Sequence, residues 1–208
     1  MRLLLASNNA KKLAELRQLL DLPGLELIAQ ASLGITEAEE PHLSFVENAL
    51  AKARHAAQAA GGAAIADDSG LCVDALSGAP GVVSAHYAGL VPAAADRETT
   101  RRAQDSANNA RLLQALQGVA DRRARFVCTL VTLRGADDPE PLVAFGRWEG
   151  EILLEPRGQQ GFGYDPLMFI PALGRTVAEL GVEQKNALSH RALAARQMRA
   201  LIESLWRP

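Results

Sequence analysis

The run from Ala124 to Leu133, ARFVCTLVTL, is apolar at both alternating sets of positions. A strand sends successive side chains to opposite faces, so such a run is covered on both sides and lies centrally in a sheet. Gly135-Ala136-Asp137-Asp138-Pro139 makes a turn after it, and Pro141 to Phe145 with Trp148 predicts an antiparallel partner strand. Two further strands are predicted upstream, over Arg2 to Ala6 and Leu25 to Ala29, and a third over the short apolar Ala63-Ala64-Ile65-Ala66. The sheet is therefore mixed. Helical spacing appears at Leu13, Leu16, Leu19 and Leu20, in the alanine-rich stretch from Ser44 to about Ala60, and from Asp96 to Gln117. It returns at Ala194, Met198, Leu201, Ile202 and Leu205. Ser44 with Glu47 fits a capping box, and Ser189 is a plausible cap for the last helix.

The 208 residues suffice for one compact unit, and no repeat, linker or low-complexity tract divides them. A net charge of −2, with 22 Lys+Arg against 24 Asp+Glu, predicts neither a nucleic-acid surface nor a membrane surface. Cys72 and Cys128 sit in apolar contexts without metal-ligand spacing and read as buried free thiols. The apolar run after Met1 is too short for a signal peptide or a span, which makes the cytoplasm the expected location.

Chemistry is concentrated in a few stretches. Ala66 to Gly89, ADDSGLCVDALSGAPGVVSAHYAG, opens with adjacent acids followed by Ser69-Gly70. With the apolar run before them, the acids are predicted at the exposed end of a short strand. Adjacent carboxylates are costly unless solvated, paired or holding a cation. They fit either a magnesium-assisted hydrolytic site or a solvated turn. Ser7-Asn8-Asn9-Ala10-Lys11-Lys12 joins a strand to a helix. Free backbone N–H groups and a lysine in the first turn would favour an anion there, although a capped surface helix is the plainer reading. Gly158 to Pro166 is a glycine-rich turn offering Phe162 and Tyr164 as faces for a base and Asp165 as an acceptor. Lys185, His190 and Arg191 place positive charge at the start of the last helix, where an isolated helix prefers acids. Glu39 and Glu40 lie in a loop and read, on their own, as solvated acids. His86 is a lone histidine suited to a surface or structural role.

Five blocks in order, SNNAKKLAEL, SFVENALAKA, ADDSGLCVDALSGAPGVVSAHYAG, Gly-Phe-Gly-Tyr-Asp-Pro and Ser-His-Arg, resemble the inosine/xanthosine triphosphate pyrophosphatase (Ham1-like) family over almost the whole chain. The resemblance implies an elongated α/β fold with a mixed sheet flanked by helices, a deep cleft between two lobes, and residues 1–208 as a single domain. It also implies a homodimer and Mg²⁺-dependent hydrolysis of a non-standard purine nucleoside triphosphate to the monophosphate and pyrophosphate. On this mapping Ser7, Asn8, Asn9, Ala10, Lys11 and Lys12 hold the phosphates. Asp68 is the general base and a magnesium ligand, and Ser69 touches substrate. Phe162, Gly163, Tyr164 and Asp165 frame the base, with Lys185, His190 and Arg191 closing on base and sugar. The family's loop acid maps onto Glu39, with Glu40 one residue away. Two positions depart from the family: Lys11 stands where glycine is frequent, and His86 where arginine is. A related pyrophosphatase acting on other nucleotides, or a silent nucleotide-binding module, would share much of this pattern.

Overall fold

A computed structural model describes residues 1–94 and 96–206; Ala95, Arg207 and Pro208 lie outside the described residues, and of Ala10 only the backbone is described. The strands are β1 (Arg2–Leu5), β2 (Glu26–Ala29), β3 (Ala64–Val73), β4 (Arg123–Leu133), β5 (Leu142–Ile152), β6 (Met168–Ile170) and β7 (Arg175–Thr176). They form one sheet in the order β2-β1-β3-β4-β5-β6-β7, with β4 in the middle as its two-sided apolar pattern requires. β1 runs parallel to β2 and β3, while β6 is antiparallel to both β5 and β7. The sheet is thus mixed, and five α-helices accompany it: α1 (Ala10–Leu19), α2 (Phe45–Ala60), α3 (Arg97–Ala115), α4 (Val182–Leu188) and α5 (His190–Leu205).

The contacts resolve into two compact units. The first comprises Met1–Ser69, Cys128–Arg147 and Leu188–Pro208. Strict alternation divides its strands between two cores. Leu3 and Leu5, Ile65, Cys128 and Leu130, and Leu142 and Ala144 point to the side carrying Leu16 of α1 and Ala194, Met198 and Ile202 of α5. Leu4, Ala64, Ala66, Val131 and Leu133 point the other way, onto Ala49, Ala53, Ala56 and Ala57 of α2. The sheet here is the middle of three layers. α2 starts where Ser44 caps the Glu47 N–H and ends at Gly61, whose φ of 64° is the left-handed conformation that closes a helix. The Glu47 carboxylate accepts from the Ser44 hydroxyl at 2.5 Å.

The second unit comprises Gly70–Val127 and Trp148–Ala187. Leu71 and Val73, Phe126, Trp148 and Ile152, and Met168 and Ile170 form its core with Leu112 of α3 and Leu116 at its C-cap. Asn108 continues the α3 stripe as a buried polar residue. Its side chain bonds the Ser84 and Ala85 carbonyls and the Ala88 N–H, which fixes the loop after β3. Both cysteines are buried thiols outside any disulfide, and no helix among the described residues is long and apolar enough to cross a membrane.

One local expectation is overturned. Asp67-Asp68-Ser69 is not a turn at an exposed strand end: β3 runs on to Val73, and the two acids are 1% and 5% exposed within it. The strand continues because Leu71 and Val73 still have a core to enter, and because cations meet each carboxylate.

In the first unit Gly146 of β5 lies directly against α5. A Cβ there would stand 1.8 Å from the His190 carbonyl oxygen and 2.7 Å from the Ala194 nitrogen. Backbone cannot yield as a side chain does, so Gly146→Ala is expected to cost about 3 kcal/mol, at the severe end of overpacking. Urea denaturation checks this; an unchanged midpoint would mean that α5 is not fixed against β5.

Candidate functional site

The candidate residues fall into two groups, one in each unit. In the first unit, the alternation of β3 sends Asp67 to the face of α1 and α5 and Asp68 to the face of α2. Asp67 Oδ1 lies 2.9 Å from Lys12 Nζ. Asp67 Oδ2 lies 3.5 Å from Arg191 Nε and accepts a 2.9 Å bond from the Ser69 hydroxyl. Arg191, only 2% exposed, also donates to Glu15 of α1 and, at 3.1 Å, to Ser69 Oγ. Burial works against the charge on Asp67, but Lys12, Arg191 and Lys52 outweigh it and hold the carboxyl far below the usual carboxylate range. Burial likewise works against the charge on Arg191, and Asp67 and Glu15 raise its pKa in spite of that. Cys128 Sγ stands 3.9 Å from Asp67 Oδ2. Burial, and then that carboxylate, push its thiol up to about 12, so it is a neutral spacer rather than a nucleophile.

On the opposite face, Lys52 Nζ stands between two carboxylates, 3.1 Å from Asp68 Oδ1 and 3.0 Å from Glu40 Oε2. Lys52 comes from the buried side of α2, in the same stripe as Ala49, Ala53 and Ala56. Burial lowers its pKa, and Asp68, Asp67 and Glu40 more than restore it, so it stays a cation. The loop bearing Glu40 is tied to α2 by Asn48, which bonds the His42 N–H at 3.0 Å and the His42 carbonyl at 3.2 Å. Glu39 is exposed. Asp68 is held unlike its neighbour. Burial pushes its carboxyl up to about 6, against the pull of Lys52 and with a further push from Glu40. Its Oδ2 atom is buried without a hydrogen-bond partner. An unsatisfied, partly basic carboxylate oxygen of this kind can take a proton from water or bind a cation.

The strand-to-helix turn differs from the expectation of free amides. Asn9 caps α1, and its side chain accepts from the Lys11 and Lys12 N–H groups at 3.1 and 3.2 Å. The Asn9 N–H in turn donates to Ser7 Oγ at 3.2 Å. Asn8 Oδ1 is buried and unpaired. Ala10 opens the helix, and its side chain lies outside the described residues. Ser189 caps α5 through the Ala192 N–H, which buries His190 and Arg191 in the first turn. The positive charge at that helix start is answered by Asp67 and Glu15. Among these residues Lys52 and Glu15 were not singled out from the sequence, and of the two loop acids that were, it is Glu40 that meets Lys52; for Lys52 the signal is a lysine at the register of an apolar alanine stripe.

In the second unit, Phe162 to Asp165 form a turn held from within by Asp165. Its Oδ2 accepts from the Phe162 N–H at 3.0 Å and from Lys185 Nζ at 2.7 Å. A Cβ at Gly161 (φ 80°) would stand 2.0 Å from that same oxygen, so the turn admits only glycine. Lys185, buried in α4, also lies 4.7 Å from the centre of the Phe162 ring, and Arg101 of α3 lies 5.4 Å from it. Tyr164 is buried, with its hydroxyl donating to the Ser84 carbonyl at 2.9 Å; burial raises its pKa. His86, at the end of a short 3₁₀ segment, is exposed.

No group of three or more His, Cys, Asp or Glu able to hold a metal occurs among the described residues. Asp68 and Glu40, which meet at Lys52, offer the carboxylate oxygens that suit a hard cation taking one or two carboxylates and completing its shell with water and phosphate, while Glu39 stands exposed in the same loop.

The raised Asp68 pKa sets a pH signature for the metal-free protein. The folded state holds a proton between the ordinary value of 3.8 and about 6, where the unfolded chain has lost it. Stability from this group is therefore full below about pH 4 and is lost as pH rises through about 6. Asp68→Asn removes that loss. In urea denaturation with chelator present, the variant should gain about 3 kcal/mol on the wild type between pH 4 and pH 7; a constant difference between the two would overturn the assignment.

Comparison with known proteins follows the same lines. The model of the Ham1 family matches residues 3–201. The chain is 71% identical to the dITP/XTP pyrophosphatase of Methylibium petroleiphilum, covering 99% of each chain. It is 69% identical, with the same coverage, to the dITP/XTP pyrophosphatase of Leptothrix cholodnii. Among solved structures, a HAM1 protein from Coxiella burnetii superposes with a TM-score of 0.87 at 42% identity, over 98% of this chain and 99% of that one. With its mixed sheet, its paired acids and a match along nearly its full length, the chain belongs to the Ham1 family.

Proposed function

We propose that this chain is an enzyme hydrolysing non-standard purine nucleoside triphosphates (ITP, dITP, XTP, dXTP) between the α and β phosphates, releasing the nucleoside monophosphate and pyrophosphate. One observation carries the chemistry: Asp68 presents a buried, unpaired carboxylate oxygen with a pKa of about 6. At neutral pH it is ionised, yet basic enough to accept a proton. Asp68 takes a proton from a water whose oxygen forms the new bond to phosphorus as the bond to pyrophosphate breaks. Phosphoanhydride cleavage depends chiefly on positioning and charge neutralisation. Lys12, at the start of α1, and Lys52, beside Asp68, are the cations placed for that work. A Mg²⁺ ion held by Asp68 and Glu39 would supply further charge neutralisation on the phosphate oxygens. Glu40, already engaged by Lys52, keeps that lysine beside Asp68.

Ser7 to Lys12 contact the phosphates in this reading, and Ser69 contacts the substrate from its bonds to Asp67 and Arg191. The turn from Phe162 to Asp165, with Lys185, frames the base: a ring for stacking, and, since the Phe162, Gly163 and Asp165 N–H groups are bonded within the protein, the Tyr164 N–H as the donor for the six-oxo acceptor of hypoxanthine or xanthine. Adenine carries a donor at that position, and a donor facing a donor leaves buried groups unpaired. His190 and Arg191 are buried in the first turn of α5, where Arg191 holds Ser69 and Asp67. The family likeness further supports a cytoplasmic homodimer that acts on free nucleotides, with residues 1–208 as one functional domain.

The test is a substrate panel with Mg²⁺, scoring pyrophosphate from ITP, dITP and XTP against ATP, GTP, UTP and dTTP. Release of orthophosphate instead of pyrophosphate, or equal rates on ATP, would overturn the proposal. Within it, Asp68→Asn should lower kcat by at least about a thousandfold while ITP binding survives. Glu39→Gln should raise the Mg²⁺ concentration needed for half-maximal rate more than Glu40→Gln does.

A further inference from the structure

Helix α3 has no part in the chemistry proposed above, yet it holds the peptide at the centre of the base-framing turn. Arg101, Asp105 and Asn109 recur every fourth residue, which places them on one face of the helix. All three meet Phe162-Gly163. The Gly163 N–H donates to Asp105 Oδ2 at 2.9 Å, and Asn109 Nδ2 donates to the Gly163 carbonyl at 3.0 Å. Both polar groups of one residue are thus taken by two side chains one helical turn apart. The Arg101 guanidinium lies over the Phe162 ring that precedes it. Gly163 has a φ of 61° and open space where a Cβ would lie, so packing against its α-carbon does not hold it; these two hydrogen bonds do. Asn109 Oδ1 is buried with no partner, so that amide has its donor side committed to Gly163 and its acceptor side unsatisfied. For stability alone, a buried half-satisfied amide is a poor choice. It is explained if the turn it grips must be held in one conformation.

We infer that Asp105 and Asn109 are positioning residues that hold the Phe162–Asp165 turn in its base-accepting conformation, and so set discrimination between purines without touching the nucleotide. The inference rests on the assignment of that turn to the base. A loose turn could swing a carbonyl towards an amino substituent as readily as it offers an N–H to an oxo group, whereas a turn fixed with its N–H forward rejects the amino group. Asp165 and Lys185 hold the turn from within and α3 holds it from outside, so loss of the outer grip loosens the turn without unfolding it.

The experiment compares Asp105→Ala, Asp105→Asn and Asn109→Ala with the wild type. The melting temperature is read first, then kcat and KM on ITP and ATP, then ITP and ATP binding by calorimetry with chelator present. Asp105→Ala is expected to raise KM for ITP about tenfold with kcat within about twofold, since the chemistry lies elsewhere, and to cut the ITP-to-ATP preference by a similar factor. Asp105→Asn keeps an acceptor for the Gly163 N–H and should recover most of the preference, a rescue that a charge-based role would not give. Asn109→Ala should shift KM and preference in the same direction. Folded variants with unchanged KM and preference, or with kcat reduced and KM constant, would overturn the inference. If the wild type split none of the triphosphates, the proposed activity would fail by itself, and the calorimetric preference for ITP over ATP in wild type and variants would still decide the role of α3. Equal binding of the two nucleotides throughout would overturn that as well.

Discussion

Burying two adjacent carboxylates in one strand is the demand around which the first unit is arranged. Each ion loses several kcal/mol of hydration on leaving water, and a pair side by side repels as well. The pleat of β3 relieves this by sending the two groups to opposite faces, where different helices bring different cations. α1 and α5 bring Lys12 and Arg191 to Asp67, and α2 brings Lys52 to Asp68. Three helices are therefore tied to one dipeptide, and each tie crosses a layer that apolar packing alone would leave free to slide.

The two faces are not equally neutralised. Asp67 has Lys12, Arg191 and Ser69 around it, and Arg191 is itself balanced by Glu15. Asp67 and Arg191 are buried there and their charges are answered, while Lys12, Glu15 and Ser69 around them stay partly exposed. Asp68 shares its lysine with Glu40 and keeps one oxygen unpaired. Residues that differ by a single position thus divide into a group that holds and a group that can react. A one-residue slip of β3 would exchange them, and both apolar cores, which alternate on the same strand, would be inverted with them.

Much of this was legible in the chain. Period-two and helical patterns placed β1, β2, β4, β5, α1, α2, α3 and α5, though not the short β6, β7 and α4; the caps at Ser44 and Ser189 fell where expected, and β4 announced its central position by being apolar on both sides. What could not be read was whatever depends on distant partners. Asp67-Asp68-Ser69 looked like a solvated end because local sequence offers it no cation; Lys12, Lys52 and Arg191 arrive from 55, 16 and 124 positions away. The basic start of α5 looked out of place for the same reason, since Glu15 and Asp67 are invisible from Ser-His-Arg. The grip of α3 on Gly163, 54 and 58 positions away, left no local trace except a polar face on a helix whose other side is core.

Such long-range pairs also explain why the reactive group can be destabilising where the fold is not. A carboxyl with a pKa of about 6 is, at neutral pH, an ion its surroundings would sooner keep neutral. The cost is local, because the framework on the other face of β3 does not titrate in the same range: Asp67 stays ionised well below it, and Arg191 and the Cys128 thiol change state only far above. Separation of the two roles onto opposite faces of one strand is what lets a strained charge stand next to a settled one. An incoming cation or a proton from water would relieve Asp68 without disturbing Asp67, so the chemistry proposed for this chain draws on energy already stored at one atom of one side chain.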